Sequence, residues 1–217
     1  MGWLHSAIDL FLHLDKHLND FAGAHPVGVY VVLAAIVFCE TGFVVTPFLP
    51  GDSLLFAAGA LCATGTLRTP LAAGLLALAA FTGNAVNYAV GRAVGPRVFS
   101  ASDSAGLSHR LLNREHLQRA HAFFEEYGGK AIILGRFVPI VRTFVPFVAG
   151  AASMRPSSFV FFNLVGAVGW VGVCVGAGYV FGNVPIVKQN FSLVTIGIVI
   201  VSLLPVAIEF FKRRTTQ

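Results

Sequence analysis

Four ionisable side chains stand where an apolar chain should carry none. Glu40 and Asp52 flank one break in a hydrophobic region, and Arg136 and Arg142 occupy another. At the centre of a spanning helix such a group costs about 2.5–3.5 kcal/mol on insertion scales, so four of them ask for a purpose. Arginine forks suit phosphate, because they offer two parallel donors and a charge that does not titrate away. A carboxyl group in a low-dielectric surround takes up and releases a proton near neutral pH. The expected chemistry is therefore an anion grip at Arg136 and Arg142 with proton exchange at Glu40 and Asp52. Simpler readings stand beside it. Asp52 suits an N-cap for a helix starting near Ser53. Glu40 could sit in a purely structural ion pair, and the arginines could snorkel to a surface. Arg142, between two prolines, has less freedom to do so than Arg136.

The elements that must position these groups follow from composition. The 217 residues are 56% hydrophobic and 12% charged, with mean hydropathy +0.76. A soluble domain carries about 25% charged residues. This is the composition of an all-α polytopic membrane protein, best read as a single membrane domain over 1–217. The excess of base, 15 Lys+Arg against 10 Asp+Glu, does not point to nucleic acid, because the bases cluster beside apolar segments. Cys39, Cys62 and Cys174 lie in apolar runs and read as reduced packing residues. The seven histidines (His5, His13, His17, His25, His109, His116, His121) form no metal set, and no cofactor is expected. Asp9, His13, Asp15 and Lys16 interrupt any early apolar core, which argues against a cleavable signal peptide.

Uncharged runs at 69–91, 156–187 and 189–208 reach the length of about 20 residues that a spanning helix needs. The spans are placed at 69–91, 156–187 and 189–211. The runs at 26–39, 41–51, 53–67 and 143–154 are too short to cross. Two of them join at Pro47, Pro50 and Gly51, and a second junction is expected between Pro139 and Pro146. Proline ends or kinks a helix. Helix, break, helix predicts re-entrant hairpins at 27–64 and 131–154, against an alternative of two long kinked spans. Each hairpin precedes a span, so the chain reads as an inverted repeat with its site where the broken helices meet.

Orientation follows from Lys and Arg. The 92–130 connection holds Arg92, Arg97, Arg110, Arg114, Arg119 and Lys130, and the tail holds Lys212, Arg213 and Arg214, so both are expected in the cytoplasm. That assignment is self-consistent only if both hairpins are re-entrant and oppositely oriented. The tips then meet near the midplane, with acids facing bases. Residues 3–22 place Leu4, Ile8, Phe11, Leu18 and Phe21 on one face and charges on the other, which predicts an interfacial helix. The 108–127 segment reads as a charged, solvated helix.

Thr46, Ser53, Asn84, Asn87 and Tyr88 are secondary candidates, and the asparagines more often hold helices together than bind substrate. Gly166, Gly169, Gly172, Gly176 and Gly178 predict close helix approach, and Trp170 reads as packing or an interface anchor. Phe43, Phe48, Phe137 and Phe144 are placed beside a lipid tail by proximity in sequence alone.

The run Glu40-Thr-Gly with Thr46-Pro-Phe-Leu-Pro-Gly-Asp-Ser53, then Gly135-Arg-Phe-Val-Pro-Ile-Val-Arg142 and Ala149-Gly150, strongly resembles the DedA family of bacterial inner-membrane proteins. Asn84-Ala-Val-Asn-Tyr88 to Arg92 fits as well, and the likeness covers roughly residues 28–182. The resemblance implies a fold shared with lipid scramblases and proton-motive-force-linked movement of a lipid. Undecaprenyl phosphate is its best-supported substrate, with phosphatidylethanolamine suggested for some members. It implies that Glu40, Asp52, Arg136 and Arg142 are the functionally required charges. It also implies the bacterial inner membrane, with phospholipid or polyprenyl phosphate and protons as partners and a homodimer allowed. The competing expectations are a small-ion or drug/proton antiporter and a lipid phosphatase. The breaks hold no histidine or clustered metal acids, which leaves the second without a nucleophile's base, so no enzyme activity is expected.

Overall fold

The structure is a computed structural model that describes residues 26–43, 51–100, 114–182 and 184. Every regular element among them is helical: α1 (Pro26–Gly42), α2 (Gly51–Ala63), α3 (Thr69–Ser100), α4 (Arg114–Tyr127), α5 (Lys130–Leu134), one 3₁₀ turn (Gly135–Phe137), α6 (Pro139–Ala151) and α7 (Pro156–Gly182). The expected interfacial helix at 3–22, the first hairpin's tip with Thr46, Pro47, Phe48 and Pro50, and the last span at 189–211 lie outside the described residues.

Among the described residues two helices are long and apolar enough to cross a membrane, over Thr69–Val94 (26 residues) and Pro156–Gly182 (27 residues). At ~1.5 Å per residue each is about 40 Å long, against a hydrocarbon core of about 30 Å. Only 33% and 39% of their most apolar stretches are buried. Leu78, Val86, Phe161, Leu164, Val168 and Val180 are instead exposed. A soluble protein does not leave so much contiguous apolar helix surface open to water; lipid is its fitting solvent. The first span corrects the expected end at 91. The α3 helix continues to Ser100, since Arg92 and Arg97 are good helix formers and need not stop a helix where the apolar run stops.

The chain divides into two compact units. Unit 1 comprises Met1–Ala35, Pro50–Leu76 and Val171–Gln217. Within it α2 is buried all round except at Asp52 and Ala63. Its seam with the end of α7 is backbone against backbone. A Cβ on Gly59 would lie 2.1 Å from the Val175 carbonyl oxygen, and one on Gly178 would lie 2.0 Å from that of Phe56. Small residues permit this approach, and packing of this kind holds helices together where lipid removes the hydrophobic drive.

Unit 2 comprises Ile36–Leu49 and Ala77–Trp170. Its core gathers Tyr88, Ala131, Ile132, Phe144, Val145, Phe147, Val148 and Phe159, with Phe123 and Phe124 of α4 packed against it. The α4 helix lies along α6; its other face carries exposed Glu125 and Glu126. The α3–α6 crossing is again glycine on backbone, since Cβ atoms on Gly91 and Gly150 would each lie 2.1 Å from a carbonyl oxygen, of Phe147 and Tyr88 respectively. Of the glycines along 166–178, Gly166 and Gly178 make the expected close approaches, whereas Gly169, Gly172 and Gly176 meet nothing within 4 Å.

The second break also departs from expectation. The chain interrupts its helix at Gly135–Val138, and α6 runs unbroken from Pro139 through Pro146. Val138 adopts an extended conformation (φ −113°, ψ 109°), as the residue before a proline prefers. Pro139 then starts α6, its fixed φ suiting the first helical position. Pro146 has no N–H to give the Arg142 carbonyl one turn back. The next carbonyl, Thr143, receives a side-chain amide from Asn87 at 2.7 Å.

Candidate functional site

Glu40 lies in the last turn of α1, and Arg142 in the first turn of α6. Each charge is at the unfavourable end of its own helix dipole, which disfavours an acid at the C-terminus and a base at the N-terminus. They meet in an ion pair between Arg142 Nη2 and Glu40 Oε1, with the two side chains 10% and 1% exposed. Ionising two groups in so dry a place costs several kcal/mol per ion, and their attraction repays it only with good geometry. The pair therefore offsets both the burial and the misplaced dipoles. Directly beside it, Asn87 of α3 donates to the carbonyls of Thr41 (3.4 Å) and Thr143 (2.7 Å), the residues that follow Glu40 and Arg142. Thr41 turns its own hydroxyl back onto the Val37 carbonyl at 2.8 Å.

Arg136 comes from the 3₁₀ turn and is 3% exposed. Its Nη2 donates to the Asn163 side-chain oxygen at 2.8 Å and to the Ala80 carbonyl at 3.3 Å. Its Nε is buried and has no hydrogen-bond partner among the described residues. No carboxylate among them pairs with it. Space for the guanidinium is made by Gly166, where a Cβ would stand 3.1 Å from Arg136 Nε. The Asn163 amide is oriented by donating to the Phe81 carbonyl at 3.0 Å, and its oxygen also accepts from Asn84 at 3.2 Å. Trp170 lies against both arginines, with its ring centroid 5.7 Å from Arg136 Cζ and 5.8 Å from Arg142 Cζ.

Glu40, Thr41, Asn84, Arg136, Arg142, Thr143 and Trp170 line one cavity of about 10 Å³, room for about one water molecule. The pairing expected from opposed hairpins is thus found between Glu40 and Arg142, with Arg136 in the same pocket. Asp52 belongs to unit 1, in the first turn of α2, where an acid suits the helix dipole. Ser53 is buried in that same turn, and Gly51 is the helix's first residue. Tyr88 is structural, stacked on Phe159 at 4.1 Å and donating to the Met154 carbonyl. Of the aromatics placed beside a lipid tail, Phe43 and Phe137 are exposed, whereas Phe144 is a core residue. From Thr143 to Gly150 every residue of α6 is buried, which takes Phe144 into the core.

Asn163 and Trp170 are the residues that sequence reasoning misses. Their signal is spacing: Asn163, Gly166, Ala167 and Trp170 fall at i, i+3, i+4 and i+7, one helical face.

Comparison with known proteins gives the family. The VTT domain matches over residues 49–180. The chain is 46% identical over 216 residues to Protein DedA of Escherichia coli (strain K12), covering 99% of this chain and 96% of the relative. It is 45% identical over 178 residues to an uncharacterised membrane protein of Mycobacterium tuberculosis (strain CDC 1551 / Oshkosh), covering 80% of this chain and 75% of the relative. With the inner membrane protein YqjA of Escherichia coli (strain K12) it shares 38% identity over 158 residues, 73% of this chain and 70% of the relative. No solved structure matches. The apolar spans and this near full-length likeness together make the chain a VTT-domain membrane protein of the DedA family.

Proposed function

We propose that this protein is a proton-linked transporter of a phosphate-headgroup lipid, with undecaprenyl phosphate the favoured cargo, returning it across the inner membrane for envelope biogenesis. One observation carries the reading. A buried arginine with only neutral partners, Arg136, shares a pocket with a second arginine held by a carboxylate. An uncompensated buried cation is an anion site by its physics, since any anion arriving relieves its burial cost. The cavity as it stands admits about one water, too little for a phosphate. Entry therefore requires Glu40 to leave Arg142. The headgroup takes the freed fork, and the displaced carboxyl accepts a proton, which links lipid movement to the proton gradient. Asp52 is the second proton-exchanging group in this scheme. No bond of the lipid is made or broken.

Native mass spectrometry of the purified protein with undecaprenyl phosphate tests this. Arg136→Ala and Arg142→Ala should each weaken binding about ten- to a hundredfold, the worth of hydrogen bonds to a charged group. Glu40→Gln should keep binding and flatten its dependence on pH. Equal, weak binding in all four proteins would move the reading to a small-ion or drug/proton antiporter using the same charges.

A further inference from the structure

Arg136 and Arg142 are seated differently, and the difference lies in their partners. Arg142 faces a carboxylate. Arg136 is held by an amide oxygen, a backbone carbonyl and the face of an indole, all of them neutral. These contacts are strong enough to place a cation. Hydrogen bonds to a charged group are stronger than those between neutral groups, and a desolvated cation–π contact is stronger than an exposed one. None of them cancels its charge.

The amide's orientation is decided by geometry. Asn163 Nδ2 donates to the Phe81 carbonyl at 3.0 Å, so its oxygen must point at Arg136 and Asn84. The side chain is fully buried, leaving no water to substitute for it. Trp170, 2% exposed, presents its ring to both guanidinium groups, which lets two like charges share one pocket. Arg136 Nε, buried and unpartnered among the described residues, is the donor left over for a ligand.

We infer that Asn163 and Trp170 are positioning residues that hold Arg136 charged but uncompensated. Arg136 is thereby the standing half of the anion site, and Arg142 is the half that Glu40 occupies until the anion arrives. The inference rests on the phosphate-site reading above. Its ligand class is a monoester phosphate at the head of a lipid. The chemistry it excludes is a neutral headgroup, which leaves Arg136 uncompensated and brings no charge to take the place of Glu40 on Arg142.

The test uses full-length protein in detergent, with phosphatidic acid and diacylglycerol of identical chains as probes. Wild type should bind the phosphate lipid at least about tenfold more tightly, a difference of ~1.4 kcal/mol. Asn163→Asp supplies a built-in counter-anion of the same shape, and should abolish that preference. Trp170→Phe keeps an aromatic face and should retain it. Trp170→Leu keeps bulk without the face, and should lose about three- to tenfold for phosphatidic acid with no change for diacylglycerol. Thermal unfolding of each variant reports folding. Should Asn163→Asp fail to fold, because its second oxygen now opposes the Phe81 carbonyl, the Trp170 pair decides alone. Unchanged preference in folded Asn163→Asp, or equal binding by Trp170→Phe and Trp170→Leu, overturns the inference and leaves the phosphate site standing. A wild type with no preference overturns the site itself.

Discussion

Asn87 shows how much of this site is held by one side chain. Its amide reaches the carbonyls that follow Glu40 and Arg142, so α3 fixes the backbone on both sides of the ion pair. Removing it takes one donor from the Thr143 carbonyl, in the helix that Pro146 already weakens. Asn87→Ala should therefore lower stability by about 0.5–1.5 kcal/mol, the net contribution of a hydrogen bond. It should also weaken phosphate-lipid binding without removing any charge. A thermal unfolding midpoint in detergent checks the first effect, and lipid binding the second. The charged residues here were legible from sequence, because an ionisable group in an apolar run is costly wherever it sits. Neutral Asn163 and Trp170 were not, since an asparagine or a tryptophan in a span is common and only its helical face ties it to Arg136.

At the scale of elements, glycine placement decides which faces touch. Gly166 and Gly169 sit one turn apart on α7, yet a Cβ on the first meets Arg136 Nε at 3.1 Å and one on the second meets nothing within 4 Å. Gly166→Leu should push the guanidinium out of its seat and cost phosphate-lipid binding at least about tenfold. Gly169→Leu should leave binding unchanged and gain slightly in helix stability. Measuring both by the same lipid titration separates a positional effect from a general one. The glycine-rich run alone does not reveal this difference, because composition counts small residues without saying what lies opposite. The second break is a similar case. Prolines mark where a helix is at risk, but Pro139 begins α6 and Pro146 is carried within it. The hinge falls instead at Gly135–Phe137, the short turn that delivers Arg136. Charge gaps mark apolar stretches, and α3 and α7 are apolar over Thr69–Val94 and Pro156–Gly182. The gaps misjudged the end of α3 because a helix outlasts its apolar stretch.

For the whole molecule, the membrane is the solvent that makes the surface intelligible. The exposed valines, leucines and phenylalanines of α3 and α7 need no partner protein when lipid surrounds them. The pocket between Glu40, Arg136, Arg142 and Trp170 has a further consequence through its size alone. A file of hydrogen-bonded water conducts protons, and a space for about one water beside an ion pair does not make a file. An idle copy of this protein should be electrically quiet, neither draining the pH difference nor the voltage across the bilayer it occupies. Vesicles carrying the purified protein, loaded with a pH-sensitive dye, should hold an imposed gradient as long as empty vesicles do. They should discharge it faster only when phosphate lipid is present. A cell could then keep many such carriers in its energised membrane without running down its own battery.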